Sequence, residues 1–348
     1  MEGVEDIAEV YRAIKSRAIE AGGRCTPASK LMLMHAPHPA KSGSKKTSTP
    51  TSGRAAGHHA AKPAQVIEEL RPGQSIELLK ELHILTREGK LNQDTRRKLK
   101  QVYHLYNFIE PLLNDVFTAT GNATLADHGA GKSYLGFILY DLFFNVAHQG
   151  QKTQGHIYGI ETRAELVDKS RALAAHLGFG RMSFLNLSVQ QATTSSDLPA
   201  QIDIVTALHA CDTATDDAIA FGLAKHARHM VLVPCCQAEV AGVLKRSRAL
   251  NLIKNPLTEL WRHPLHTREF GSQITNVLRC LQLEANGYNV TVTELVGWEH
   301  SMKNELILAS KPSTPSAAKT RAAQERLQAV LGELGLGELT ARFAVPLA

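Results

Sequence analysis

The stretch DHGAGKS, residues 127–133, decides the fold of this chain. It follows a short apolar run, TLAD (124–127), and opens a helical pattern over residues 133–147. Gly129 and Gly131 allow a tight turn and let a ligand approach the backbone where a Cβ would otherwise stand. Ser133 is small and can cap the helix, whose first N–H groups and positive dipole end suit a carboxylate or a phosphate. We therefore expect a ligand at this strand–turn–helix unit.

The letters GKS at 131–133 are also typical of the loop that binds the phosphates of ATP or GTP. In that loop a glycine would occupy position 126, which is Ala126 here, and Asp127 would lie where backbone amides wrap the phosphate. An NTPase also needs a magnesium-binding acid at the end of a later strand, but Asp203 opens its strand instead. The sequence therefore disfavours a P-loop NTPase.

Strand-like runs alternate with helical runs through residues 122–287, which predicts a parallel sheet with helices on both faces. Two further strand-like runs then follow without a helix between them, which predicts an antiparallel end to the sheet. The predicted strands are TLAD (124–127), HIYGI (156–160), MSFLNL (182–187), IDIVTAL (202–208), HMVLVP (229–234), YNVTVTELV (288–296) and NELILASK (304–311).

An acid at the tip of the second strand, Glu161, lies where a ribose diol is gripped by paired hydrogen bonds. Its distance of 30 residues from Gly131 exceeds the roughly 20 of an NAD-binding unit. The predicted antiparallel last strand also disfavours an NAD-binding domain, because the strands of such a sheet are typically all parallel. The order of strand, glycine turn, helix, strand and acid is typical of class I S-adenosylmethionine-dependent methyltransferases. The predicted cofactor-binding residues are Asp127, Gly129, Gly131, Lys132, Glu161, Asn186, Ser188 and His209.

Several blocks of the sequence resemble, in the same order, a bacterial family of uncharacterised S-adenosylmethionine-dependent methyltransferases. The resemblance covers roughly residues 75–311 and implies a Rossmann-like class I methyltransferase fold: a mostly parallel seven-stranded sheet with an antiparallel last strand, preceded by a helical extension. Where the family has an acid after its third strand, this chain has Asn186 and Ser188, which leaves the adenine contact open. The His-x-Cys and Cys-Cys elements are more distantly similar to those of eukaryotic tRNA ribose methyltransferases. The blocks are KLKQVYHLYNF, DHGAGKSYLGFILYDL, ALHACDTATDDAI, VPCCQAEV, REF, NGYNV and EHSMKNELI.

Parallel sheets bind ligands at the carboxyl ends of their strands, and the fourth and fifth strands end in HACD and PCCQ. His209 is a candidate base because its ordinary pKa is near neutrality, although backbone groups could equally satisfy it. Asp212 either orients His209 or caps the next helix. The Cys235–Cys236 pair either lets the backbone approach the cofactor, contacts substrate, or binds zinc; we expect no metal because the ligand spacing is unusual. The candidate catalytic residues are His209, Cys211, Asp212, Cys235, Cys236, Gln237, Glu299 and His300.

The organisation of the 348 residues divides into four parts. We expect an N-terminal helix with a disordered basic linker (1–63), a helical lead-in (64–120), the methyltransferase domain (121–311), and a linker with a C-terminal helix (312–348). The apolar runs are too short to span a membrane, and the five cysteines form no disulfide or CxxC pattern. Both features predict a cytoplasmic protein.

The charge distribution predicts an RNA partner. The chain carries a formal charge of +6, and residues 21–67 contain seven Lys or Arg and no acid. Arg96, Arg97, Lys98 and Lys100 precede two tyrosines, at 103 and 106, an arrangement that suits phosphate neutralisation and base stacking. The tyrosines could equally be core residues. A small-molecule or protein substrate, or a non-catalytic RNA-binding protein of the same fold, remains an alternative, and the oligomeric state stays open.

Overall fold

A computed structural model describes residues 69–147, 154–208, 212–235, 237–249, 256–295 and 305–344. From Pro72 onward these residues belong to one compact unit. The predicted N-terminal helix and basic linker lie outside the described residues, and the division of the chain into four parts stays a prediction. No helix within the described ranges has the length and apolar character to span a bilayer.

A single seven-stranded sheet has the order β3-β2-β1-β4-β5-β7-β6. Strands β1 to β5 pair in parallel, and β7 runs antiparallel to both β5 and β6. The predicted Rossmann-like fold class, with its antiparallel last strand, is confirmed. Its strands are β1 (Asn122–His128), β2 (Gln154–Glu161), β3 (Met182–Asn186), β4 (Ile204–Leu208), β5 (His229–Val233), β6 (Asn289–Glu294) and β7 (Glu305–Ser310).

The direction of strand succession reverses between β1 and β4, which are neighbours in the sheet. Such a reversal leaves a crevice at the carboxyl ends of the two strands, where open α/β sheets bind ligands. The turn at 129–133 follows β1 at this crevice, beside the end of β4 at Leu208. The fold therefore brings the predicted cofactor turn to the edge of the sheet at which β4 ends.

Nine α-helices flank the sheet within the described residues. They are α1 (Ile76–Glu81), α2 (Gln93–Thr120), α3 (Tyr134–Leu139), α4 (Ala164–His176), α5 (Val189–Thr194), α6 (Ala214–Ala224), α7 (Glu239–Ala249), α8 (Pro264–Ala285) and α9 (Ala317–Glu333). A π-helix (Tyr140–Ala147) continues α3, and 3₁₀ turns occupy Pro256–Trp261 and Gly337–Leu339. The short α5 and the charged α7 have no strong apolar period, and they were not predicted.

The long helix α2 begins differently from the prediction. The sequence predicts Asp94 as the N-cap, because it precedes the helical run RRKLKQVYHLYNF, but the N-cap is Asn92, and a capping box joins Asn92 to Thr95. Pro111 lies inside the helix, which continues through it to Thr120. The expected cap was wrong because the Asn92 side chain accepts a hydrogen bond from Thr95 N, so the helix starts two residues earlier.

The C-terminal helix α9 packs against α8 and closes a second hydrophobic cluster. Leu327, Leu331 and Leu334 are buried there with Trp261 and Leu281. The main cluster fills the space between the central strands and α6. The sheet and these helices thus form the rigid support on which the crevice is built.

Candidate cofactor and catalytic site

The glycine turn after β1 has left-handed backbone at Gly129 (φ 65°) and Gly131 (φ 57°). A Cβ built on Gly129 would meet no atom within 4 Å, and one on Gly131 would have Arg163 Nη2 as its nearest neighbour, at 3.8 Å. The turn is anchored by Ala130 N, which donates to Ile160 O over 3.1 Å. Open space over a backbone that only glycine adopts easily fits the close approach of a ligand.

Glu161, at the tip of β2, is bonded to this turn. Its Oε2 accepts hydrogen bonds from Gly131 N (2.9 Å) and Arg163 Nη2 (3.1 Å), and its Oε1 accepts from Arg163 N (3.0 Å) and Nε (3.1 Å). Burial works to raise the pKa of Glu161, but the hydrogen bonds from Arg163 and Gly131 outweigh it and lower the pKa to about 2. The carboxylate is therefore ionised near neutral pH and can accept hydrogen bonds from a diol.

Arg163 was not singled out from the sequence, although it lies two residues from Glu161. Its side chain is 60% exposed, whereas that of Glu161 is 8% exposed. Because an exposed guanidinium is held weakly by such a pair, it can move aside for a ribose. Glu161 can thus bind a ligand while Gly131 N keeps it in place.

Asp127 and His128 end β1 immediately before the turn. Asp127 accepts a hydrogen bond from Thr206 Oγ1 over 2.8 Å, and burial raises the pKa of its carboxyl to about 7 although that hydrogen bond works against the shift. His128 packs edge-on against Phe221 at 4.8 Å between ring centroids, and burial lowers its pKa to about 4. His128 Nε2 is buried without a hydrogen-bond partner. The sequence gave no reason to single out His128 beyond its place next to Asp127.

Ser133 occupies the N-cap position of α3, but its side chain makes no capping hydrogen bond, so the predicted cap was wrong. Its backbone is left-handed (φ 52°), and its buried Oγ lies close to Gly136, where a Cβ would approach it to 2.5 Å. Lys132 lines a cavity of about 510 Å³ that extends along α4 and also includes Tyr134 and Lys169. A contact between Lys132 and the cofactor stays a prediction.

Asn186 and Ser188, the predicted adenine-side residues, are engaged in local hydrogen bonds. Asn186 Nδ2 donates to the backbone oxygens of Glu161 (3.1 Å) and Thr162 (2.8 Å) and so ties the end of β3 to that of β2. Ser188 Oγ accepts from Gln191 N in the capping box of α5. Both residues lie at the carboxyl edge of the sheet, as expected, and their roles toward a cofactor stay predictions.

Asp212, Cys235 and Gln237 represent the candidate catalytic residues within the described part of the chain; His209, Cys211, Cys236, Glu299 and His300 lie outside it. Asp212 does not cap α6, whose N-cap is Thr213, because its Oδ1 accepts instead from Ala238 N at 3.0 Å, just before α7. The predicted cap was therefore wrong, and the orientation of His209 by Asp212 stays untested. Cys235 is half-buried at the end of β5. The described residues hold no cluster of three or more metal-ligating side chains.

Gln237 is buried, and its amide is held on both sides: Nε2 donates to Asn276 Oδ1 over 2.9 Å, and Oε1 accepts from Ser272 Oγ over 2.6 Å. It borders a groove of about 1380 Å³ along α8 and β6. Asn276 in turn contacts Arg279, a fully buried arginine. Sequence reasoning missed this network because its members are far apart along the chain.

The basic face of α2 is exposed at Arg97, Lys98 and Lys100. Tyr106 is buried, and its hydroxyl donates to Glu110 over 3.1 Å, so the base-stacking alternative is wrong for this residue. Tyr103, which is half-buried, donates to Gln74 Oε1. The helix therefore presents cations to solvent while its tyrosines pack against the protein.

Comparison with known proteins agrees with the fold. Residues 97–243, which contain β1 to β5, match the model of a family described as a methyltransferase domain. No curated protein matches the sequence. The matched segment is less than half of the chain, and the match indicates a methyltransferase domain within it.

Three solved structures illustrate what this chain is similar to. An rRNA methylase from Streptococcus thermophilus is 9% identical with a TM-score of 0.35, covering 61% of this chain and 96% of that one. The fibrillarin pre-rRNA processing protein of Methanococcus jannaschii is 9% identical with a TM-score of 0.32, covering 56% and 68%. The magnesium protoporphyrin IX methyltransferase of Synechocystis, with bound SAH, is 14% identical with a TM-score of 0.36, covering 67% and 94%. At such low identities and scores, these structures do not indicate what this chain methylates.

Proposed function

We propose that this protein is an S-adenosylmethionine-dependent methyltransferase that acts on RNA. The observation that carries the proposal is the joined pair of Glu161 and the glycine turn. An ionised carboxylate at the tip of β2 is bonded to Gly131 N, and the space over Gly129 is open. This pair offers hydrogen-bond acceptors for a ribose beside a backbone turn that a ligand can approach closely.

Each part of the cofactor has candidate partners in the chain. Gly129 and Gly131 would lie against its amino-acid end, with the positive end of α3 near its carboxylate. Glu161 would bind the ribose hydroxyls after Arg163 moves aside. Asp127 and Lys132 would border the amino-acid end, and Asn186 and Ser188 would border the adenine. When bound, S-adenosylmethionine supplies an electrophilic methyl group on a sulfonium.

The chain's own contribution to the reaction would come from the carboxyl ends of β4 and β5. Methyl transfer by direct displacement needs an oriented nucleophile and, for an oxygen or nitrogen acceptor, a nearby base. His209 is the proposed base. The residues proposed to orient the acceptor or the base are Cys211, Asp212, Cys235, Cys236, Gln237, Glu299 and His300.

RNA is the proposed acceptor because basic side chains outnumber acidic ones in the chain, and several of them are exposed on one helix. Arg97, Lys98 and Lys100 are exposed on α2, and residues 21–67 carry seven basic side chains and no acidic one. Such cations bind phosphates through a strongly salt-dependent interaction. We expect the protein to act in the cytoplasm, on rRNA or tRNA, and a small-molecule or protein acceptor is the alternative.

The first test is cofactor binding by titration calorimetry with the full chain, using S-adenosylmethionine, its demethylated product S-adenosylhomocysteine, and ATP with magnesium. We expect binding of the first two and none of the third. Glu161→Gln should weaken binding at least about tenfold, because it loses the charge-assisted hydrogen bonds of the carboxylate. Glu165→Gln, an exposed change in the first turn of α4, is the matched control. Binding of ATP without binding of the sulfonium compounds would refute the proposal.

The second test identifies the acceptor. Transfer of a tritiated methyl group to total RNA should require the parent protein, and nucleoside mass spectrometry of cells with and without the gene should reveal one missing methylated nucleoside. If cells without the gene keep every methylated nucleoside and the tritium label appears in a protein or a small molecule, that molecule is the acceptor and RNA is not. Cofactor binding with no transfer to any fraction would favour a non-catalytic RNA-binding protein of the same fold.

A further inference from the structure

Arg279 of α8 is the largest charged side chain that is fully buried in the described part of the protein. It forms a two-pronged ion pair with Asp216 of α6, in which Nε donates to Oδ1 over 2.7 Å and Nη2 to Oδ2 over 2.8 Å. Asp216 is itself only 5% exposed. The pair therefore fixes α8 against the first turn of α6, directly behind the end of β4.

The remaining hydrogen bonds of Arg279 connect it to the segment after β4 directly and to the segment after β5 through Asn276. Nη2 also donates to Asp212 O over 2.8 Å, and Nη1 donates to Asn276 Oδ1 over 3.2 Å. The same Asn276 oxygen accepts from Gln237 Nε2. One guanidinium thus holds the backbone behind β4 and, through a single amide, the side chain behind β5.

A second link closes the arrangement. Asp212 Oδ1 accepts from Ala238 N over 3.0 Å, so the segment after β4 is bonded directly to the segment after β5. Asp212 has a left-handed backbone (φ 50°), which is uncommon for a residue with a side chain. Such a conformation persists when its surroundings determine it, and here both its carbonyl and its carboxylate are held.

Stability alone does not require a buried ion pair, because well-packed apolar side chains of similar volume are often as stabilising. A buried, fully hydrogen-bonded network instead fixes one arrangement of the groups that it joins. The groups joined here are Asp212 and Gln237, which flank the carboxyl ends of the neighbouring strands β4 and β5. That edge is where an α/β sheet carries out its chemistry.

We propose that Arg279 is a positioning residue that holds Asp212 and Gln237 in the relative placement that methyl transfer requires. This inference rests on the proposed function. Arg279 acts through Asp216, Asn276 and the Asp212 carbonyl and touches no reacting atom. Its effect is on the turnover step, since the glycine turn and Glu161 lie on other strands and bind the cofactor without it.

The test compares Arg279→Lys with Arg326→Lys. Lysine keeps the charge but loses the planar fork, so it cannot serve Asp216, Asp212 and Asn276 together. Arg326, on the neighbouring helix α9, pairs with Glu284 of α8 near the surface and is the matched control. We expect Arg279→Lys to lower kcat by about ten- to a hundredfold, with the cofactor Kd unchanged within about twofold. The control should match the parent.

A readout independent of activity is hydrogen exchange at the Ala238 amide, which donates to Asp212 Oδ1. Arg279→Lys should speed this exchange by about tenfold, because the Asp212 carbonyl loses its partner. If Arg279→Lys does not fold, Asn276→Ala replaces it in the activity assay, because this change leaves the pair of Arg279 and Asp216 in place. It should lower kcat by a similar factor. Unchanged Ala238 exchange, or faster exchange with kcat within about twofold of the parent, overturns the positioning role.

The outcomes separate this inference from the proposed function. A parent protein that binds no S-adenosylmethionine and transfers no methyl group refutes the function, and the positioning role fails with it. A parent protein that methylates RNA, with Arg279→Lys equally active, refutes the positioning role alone. A loss of kcat that follows equally large losses in cofactor affinity also overturns it, since the defect then lies in binding.

Discussion

The adjacent residues Asp127 and His128 provide a sharp test of the geometry at the end of β1, because burial shifts their pKa values in opposite directions. The pKa of Asp127 is raised from 3.8 to about 7, and that of His128 is lowered from 6.5 to about 4. Both side chains are therefore held mainly in their neutral forms at mildly acidic pH. The perturbations are Asp127→Asn and His128→Phe, each of which removes one titration and keeps the approximate shape of the side chain.

Proton binding by Asp127 determines how this residue makes the free energy of unfolding depend on pH. Between pH 3.8 and about 7 the folded state holds a proton that the unfolded state has released, so the free energy of unfolding falls as the pH rises. The free energy of unfolding falls by up to about 1.4 kcal/mol per pH unit through this titration. Over the whole range between the two pKa values, the fall is about 4 kcal/mol at most. For His128 the unfolded state binds the extra proton between about pH 4 and 6.5, so the free energy of unfolding rises with pH, by about 3 kcal/mol at most.

The two contributions oppose each other in the parent protein over the shared range, from about pH 4 to 6.5. Urea unfolding of the parent and both variants at three pH values in this range measures them separately. Relative to the parent, the free energy of unfolding of Asp127→Asn should increase with pH, and that of His128→Phe should decrease, each by about 1 kcal/mol per pH unit. Asp94→Asn, at an exposed position in α2, is the control. Parallel pH profiles for the parent and both variants would refute the burial-based argument.

Three further predictions concern the cofactor site, the sheet and a thiol. Arg163→Met should bind S-adenosylmethionine up to about fivefold more tightly, because a ribose no longer has to displace the ion pair with Glu161; calorimetry measures this, and weaker binding would contradict it. Gly159→Ala should lower the free energy of unfolding by about 1–3 kcal/mol in urea titrations, since the new Cβ would lie 2.6 Å from the buried ring of Phe184. Cys280→Ser should leave iodoacetamide uptake at pH 8 unchanged, because burial raises the pKa of the Cys280 thiol to about 12; a lost fast-reacting thiol would be the contrary result.

The fold was largely predictable because its signals are local. Every predicted strand is present, since short apolar runs that alternate with helical runs identify strands without knowledge of their neighbours. The start of α2 was not predicted correctly, because Asn92 and Asp94 are both good caps by residue type. Asn92 is the cap because Thr95 Oγ1 accepts a hydrogen bond from Asn92 N, which completes the capping box.

The candidate site was predictable where one motif carries it and not where distant residues meet. Gly129, Gly131 and Glu161 follow from the strand–turn–helix–strand order alone. The pairing of Arg279 with Asp216 joins residues that are 63 positions apart, and no periodicity or spacing in the sequence indicates it. The sequence also gives no sign of the contact that Asp212 makes. Its side chain accepts a hydrogen bond from Ala238 N, 26 positions away, and does not cap the helix that follows it.

The bond between Gly131 N and Glu161 also explains why GKS at 131–133 does not make a triphosphate site. A phosphate loop needs its backbone N–H groups free for anionic oxygens, whereas here one N–H donates to a carboxylate whose pKa is about 2. A triphosphate over this turn would place several negative charges beside an ionised acid, at a cost of about 1–4 kcal/mol per charge pair at 4 Å for the dielectric constants of water and of a protein surface. S-adenosylmethionine has a zwitterionic amino-acid end and a positive sulfonium, so the same carboxylate attracts it. We therefore expect the charge on Glu161, more than the shape of the turn, to favour the sulfonium cofactor over the nucleotide.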